Sequence, residues 1–181
     1  MSLEEEVGGM LREQGLDLSI AESCTGGLIT HRLTNIPGSS DYVERSVVVY
    51  SNLSKTEMLR VPQELIEQCG AVSEEVAKAM AQGVRTMART SLSLAVTGIA
   101  GPSGGSVSKP VGTVFIALAG EKELMCNGYH FRGSREEIKC MSSEKALEML
   151  CQYLQENKGV KRQGKNRGKG QVARGKRKRK S

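Results

Sequence analysis

Ala21-Glu22-Ser23-Cys24-Thr25-Gly26-Gly27 stands between two regular segments. The apolar run before it, Leu16 to Ile20, reads as a strand, and Leu28-Ile29-Thr30-His31-Arg32-Leu33 after it reads as a helix. A serine where a strand meets a helix points its hydroxyl off the end of a sheet. Two glycines just beyond it let backbone N–H groups approach a bound anion or a developing oxyanion. That is the layout of an active-site turn. The same residues also suit an ordinary strand–helix turn with Ser or Thr as the helix N-cap. The Gly-x-Ser-x-Gly pattern of a nucleophile elbow is absent.

Working outward, strands and helices alternate. Leu3 to Gln14 reads as a helix closed by Gly15. Ser46 to Tyr50 is a β-branched second strand, and Ser51 and Asn52 then open a helix carrying Lys55, Met58 and Leu59. A short helix covers Gln63 to Gln68, and Gly70 ends it. Ser73 caps the next helix, whose Val76, Met80, Val84 and Met87 recur at helical spacing and read as core. Leu92 to Val96 is a third strand, Val111 to Ala119 a fourth and Leu124 to Phe131 a fifth. Gly120-Glu121-Lys122 turns the last two into a hairpin, and a final helix spans Ser134 to Glu156. Strands two to four read as buried on both faces. The expected fold is therefore a single three-layer α/β/α domain over residues 1–157 with a mainly parallel sheet. In such sheets ligands bind off the carboxyl ends of the strands. Three stretches fall there: the Ser23 turn, Tyr50 to Lys55, and the loop from Thr97 to Ser106.

The chain has 181 residues and a net charge of +6, which hides two unlike parts. From Lys158 to Ser181 there are twelve Lys and Arg and no acid, while the remainder carries 14 basic against 20 acidic residues. Residues 158–181 have almost no apolar side chains and are expected to form a disordered basic tail. Such a polycation suits weak, non-specific nucleic-acid binding by counterion release. Five cysteines without a Cys-x-x-Cys pair point to free thiols in a reducing, cytoplasmic setting. The acidic N-terminus does not read as a secretory signal, and no apolar stretch is long enough for a bilayer, so no membrane partner is expected. His31 and His130 are isolated, which argues against a metal site.

Amide cleavage needs a nucleophile, a base and an oxyanion hole. Ser23 suits the first role, with Cys24 beside it as a competitor whose other reading is a small buried residue. Lys55 is the better base than either histidine, because it sits one turn into a helix at the same sheet edge. A lysine whose pKa is lowered by burial or positive neighbours works as a base near neutrality. Tyr50 stands at the strand end, where it could relay a proton or orient the amine. The four glycines of the Thr97 loop read as a cradle of backbone N–H groups, without the signatures of a Walker A or dinucleotide loop. Arg135 could bind a phosphate or carboxylate.

Six motifs in order carry a resemblance. They are Ala21 to Gly27, Pro37-Gly38-Ser39-Ser40, Tyr50-Ser51-Asn52-x-x-Lys55, Gly70-Ala71-Val72-Ser73, Thr97-Gly98-Ile99-Ala100-Gly101-Pro102 and Lys109-Pro110-Val111-Gly112-Thr113-Val114. Together they closely resemble the CinA C-terminal domain family of nicotinamide-nucleotide amidases, from about Leu3 to Leu154. The resemblance implies a metal-free, cofactor-free, usually homo-oligomeric α/β domain. Such a domain deamidates nicotinamide mononucleotide to nicotinate mononucleotide and ammonia. It places the nucleophile on Ser23, the motif lysine on Lys55 and the motif tyrosine on Tyr50. Substrate contacts are implied for Thr97, with Gly98 and Gly101 of its loop, and for Arg135, with Arg132 as the alternative. Backbone N–H groups of Thr25, Gly26 and Gly27 are expected at the oxyanion. Many relatives have Glu-Ala where this chain has Leu53-Ser54. The rival reading is a non-catalytic nucleotide-binding module that the tail brings to nucleic acid.

Overall fold

Ser2 accepts the backbone N–H of Glu5 while the Glu5 carboxylate accepts that of Ser2, a reciprocal cap that starts α1 (Leu3–Gln14). The computed structural model, which describes residues 1–157, continues through five strands and five more α-helices. These are β1 (Leu18–Glu22), α2 (Leu28–Thr34), β2 (Val43–Val48), α3 (Asn52–Leu59), α4 (Gln63–Cys69), α5 (Glu74–Ala88), β3 (Leu92–Gly98), β4 (Thr113–Ala119), β5 (Leu124–His130) and α6 (Arg135–Glu156). The basic tail expected over 158–181 lies outside the described residues.

The strands form one sheet in the order β2-β1-β3-β4-β5. β1 pairs parallel with both β2 and β3, whereas β4 pairs antiparallel with β3 and β5. The sheet is thus mixed, with a parallel half that holds the site and an antiparallel hairpin on the far side. The hairpin follows from the short turn after Ala119, which cannot accommodate a crossover helix. β2 differs from the expectation of a strand buried on both faces. It begins earlier, at Val43, and lies at the sheet edge with Glu44, Arg45 and Val48 exposed.

Two helical layers cover the sheet, and the strand alternation explains both. Leu18 and Ile20, Leu92, Leu94 and Val96, and Val114, Ile116 and Leu118 face one way, toward α1, α2 and α6. The opposite face carries small residues, Ala21, Ala95, Ala117 and Ala119, and meets Val76, Met80 and Val84 of α5. Small side chains there let α5 lie close, and the Ser93 hydroxyl donates to the Ala81 carbonyl at 2.7 Å. Leu53-Ser54 also suits the start of α3. Ser54 and Ser51 exchange side-chain and backbone hydrogen bonds at 3.1 Å each, so the N-terminus of α3 keeps its cap.

Candidate active site

β1 ends at Glu22 and α2 begins at Leu28, so Ser23 to Gly27 form the turn. The Ser23 N–H donates to the Val96 carbonyl at 3.0 Å, which pins the start of the turn to β3. The N-cap of α2 is Gly27, at φ 97°, and it offers no side-chain acceptor. The ordinary Ser/Thr cap is therefore not formed. Glu22 does that work instead. Its fully buried carboxylate accepts from the backbone N–H groups of Gly27 (3.0 Å), Ile29 (3.1 Å) and Thr30 (2.9 Å), and from the Thr30 hydroxyl. Sequence reading gave this residue no role. The signal was present: a carboxylate at a strand end before a helix whose N-cap has no side chain.

Glu22→Gln would place an NH₂ group among those N–H donors. The expected result is a lower melting temperature, by about 1–3 kcal/mol of stability, from the donors left without an acceptor. Turnover should fall about tenfold or more through misplacement of Ser23. Thermal melts and steady-state kinetics check the two effects separately.

Lys55 is held against Ser23. The first turn of α3 brings it back under the end of β2, where its side chain is only 2% exposed and Ser23 is 7% exposed. Its Nζ lies 3.2 Å from Ser23 Oγ, 3.0 Å from the Val49 carbonyl oxygen and 3.4 Å from that of Tyr50. Burial holds its pKa below the ordinary lysine value. A neutral amine has two N–H donors and one lone pair. The two carbonyls can only accept, so they take the two N–H groups, and the lone pair is left for the Ser23 hydroxyl proton. The charged amine would instead donate to all three oxygens; in its neutral form the arrangement suits a general base on the Ser23 hydroxyl.

Cys24 lines the same cleft but is 5% exposed, and burial pushes its thiol up to about 12. Such a thiol is protonated near neutrality and is a poor nucleophile. Neither histidine lines the cleft. Among the described residues, no three His, Cys, Asp or Glu side chains gather as a metal site would require.

Of the expected oxyanion donors, Gly26 gives its N–H to the Ser23 carbonyl at 3.1 Å and Gly27 gives its own to Glu22. Among the described residues, the Thr25 N–H is the one of the three without a protein acceptor. The Thr25 hydroxyl is fully buried and, among the described residues, has no hydrogen-bond partner.

The cleft, about 240 Å³, gathers all three strand-end stretches, including Ser23, Tyr50, Lys55, Thr97, Gly98 and Gly101, and adds Arg135 from α6. Arg132 is not among its lining residues. The Thr97 hydroxyl donates to the Ala71 carbonyl at 2.8 Å and joins the two walls. Tyr50 orients the Lys55 amine through its backbone carbonyl. Its phenol oxygen instead accepts from Arg135 Nη2 at 2.7 Å. Arg135 Nη1 donates to the Gly101 carbonyl at 2.6 Å.

Gly98 allows β3 to pass close by the nucleophile turn. A Cβ there would lie 2.7 Å from Val114 Cγ2, 2.9 Å from the Thr113 carbonyl oxygen and 3.0 Å from Cys24 Sγ. Gly98→Ala is therefore expected to destabilise the protein by about 1–3 kcal/mol. Because Cys24 adjoins Ser23, kcat should fall with it. A melt and a kinetic measurement on the same preparation check this.

Residues 1–154 match the model of the CinA C-terminal domain. A CinA-like protein of Syntrophus aciditrophicus is 56% identical over 154 residues, 84% of this chain and 37% of the relative. One from Geobacter metallireducens is 54% identical over 153 residues, again 84% of this chain and 37% of the relative. The chain thus spans well under half the length of these curated relatives. Among solved structures, the competence/damage inducible protein CihA of Agrobacterium tumefaciens is 41% identical with a TM-score of 0.81, covering 86% of this chain and 99% of that one. The competence damage-inducible protein A of Klebsiella pneumoniae is 31% identical with a TM-score of 0.82, covering 84% and 95%.

Proposed function

The chain belongs to the CinA C-terminal domain family, and on that premise we propose that it is a nicotinamide-nucleotide amidohydrolase, converting nicotinamide mononucleotide and water to nicotinate mononucleotide and ammonia. The observation that carries the reading is the buried Ser23–Lys55 pair, 3.2 Å apart at the floor of a cleft with an arginine at its mouth.

Lys55, in its neutral form, takes the Ser23 proton as Oγ attacks the carboxamide carbon. The Thr25 N–H is the donor available to the oxyanion, where losing one such donor typically costs about 3 kcal/mol in barrier. The tetrahedral intermediate collapses, the ammonium of Lys55 returns its proton to the carboxamide nitrogen, and the C–N bond breaks to release ammonia. Water then attacks the Ser23 ester, with Lys55 again accepting the proton. Breakage of the ester bond releases the acid and restores the Ser23 hydroxyl. Arg135 meets the phosphate, while Thr97, Gly98 and Gly101 line the path of the ribose. Remote binding of this kind positions the ring for attack.

The test is product analysis with hydroxylamine as a competing nucleophile. Equal amounts of ammonia and nicotinate mononucleotide are expected, with a hydroxamate forming at the acid's expense as hydroxylamine rises. Nucleotide recovered unchanged would refute the reading. Ammonia release without hydroxamate would remove the covalent step.

A further inference from the structure

Arg135 spans the mouth of the cleft. One arm of its guanidinium holds the Gly101 carbonyl at 2.6 Å and the other the Tyr50 hydroxyl at 2.7 Å. These two acceptors belong to opposite walls, the loop after β3 and the segment after β2. Both are neutral. Lys55 is the other basic residue lining the cleft, and it is buried beneath Ser23. An anionic group entering the cleft therefore meets Arg135 first. The two arms now on Tyr50 and Gly101 are the fork that binds two phosphate oxygens, and a charge-assisted bond is roughly twice as strong as a neutral one. Tyr50 is 60% exposed, so its ring has room to move once the guanidinium is taken.

We propose that Arg135 is a phosphate-operated latch: it withholds the Tyr50 hydroxyl until the anionic end of the substrate takes Tyr50's place on the guanidinium. Phosphate binding then frees a phenol on the wall of the same cleft as the Ser23–Lys55 pair, where it can take part in proton transfer. The consequence is a specificity rule. A substrate that keeps the carboxamide and ribose but lacks phosphate leaves the latch closed and is slow in kcat, not merely weak in KM. The effect on turnover rests on the amidase reading. The exchange of partners on Arg135 does not.

Two measurements separate them. In the first, the protein carries tyrosine labelled at the ring Cζ carbon, and inorganic phosphate is titrated by NMR, with the Tyr50 signal identified by its loss in Tyr50→Phe. The expected result is a phosphate-dependent shift of Tyr50 that Arg135→Ala abolishes, the variant starting near the phosphate-bound position. Phosphate that fails to bind, or binds without moving Tyr50, overturns the latch. In the second, hydrolysis of nicotinamide riboside is followed with and without phosphite dianion. Activation of about tenfold or more is expected in the parent protein and none in Arg135→Ala. Hydrolysis of the nucleotide with no phosphite activation of the riboside would sink the latch and spare the amidase. If the nucleotide itself is not hydrolysed, the amidase reading falls, and the NMR titration alone decides the latch.

Discussion

Ser23→Ala is expected to lower ammonia release from nicotinamide mononucleotide by roughly 10⁴-fold or more, the scale seen when a covalent nucleophile is removed. Nucleotide affinity should stay within a few-fold. The substitution removes one oxygen and leaves the scaffold of the turn in place. That scaffold consists of the Ser23 N–H on the Val96 carbonyl and the Glu22 carboxylate across the start of α2. The variant should therefore fold and bind. Rescue by Cys24 is not expected, because its thiol is buried and held at about 12, so its thiolate is scarce near neutrality. Single-turnover kinetics and calorimetric titration of the same protein check both halves. A variant that retains more than a few per cent of the parent rate would move the nucleophile elsewhere.

Lys55→Met should cost about 10² to 10⁴ in kcat, the usual worth of a positioned general base. Lys55→Arg should be no better, since a guanidinium stays charged and offers no lone pair. The pH profile adds a sharper expectation. Only the neutral amine accepts the Ser23 proton, so kcat/KM should rise with pH through the Lys55 pKa and level off above it. Burial lowers that pKa, so the midpoint falls below the ordinary lysine value of 10.5. Stability follows the same sign. In the window between the lowered folded value and the ordinary one, the unfolded chain holds a proton the folded chain has lost, so Lys55 makes the protein more stable as pH rises. Residual activity in Lys55→Met with the same rising limb at the same midpoint would show that another group titrates there.

The order of elements and the pairing of Ser23 with Lys55 were legible in the sequence because their signals are local. Ser2, Ser51, Ser73 and Ser134 each open a helix at the expected place, and the three strand-end stretches meet in one cleft as parallel topology requires. Other features depend on contacts between distant residues. Alternation along β4 gives its faces but not its direction, so the sheet proved half antiparallel. β2 carries a β-branched run, yet its place at the edge is decided by which strands β1 accepts. Tyr50 was expected to relay a proton or to orient the Lys55 amine. The ring instead reaches Arg135, 85 residues later, and the backbone carbonyl touches the amine. Glu22 escaped notice because a buried carboxylate capping a helix five to eight residues ahead leaves no repeating pattern.

The most direct measurement is ammonia release from nicotinamide mononucleotide by the 181-residue chain in the presence of EDTA, with Ser23→Ala assayed alongside. A serine–lysine amidase gives release that EDTA spares and the substitution abolishes. Folded protein that binds the nucleotide and releases no ammonia would contradict it and leave a nucleotide-binding module in its place.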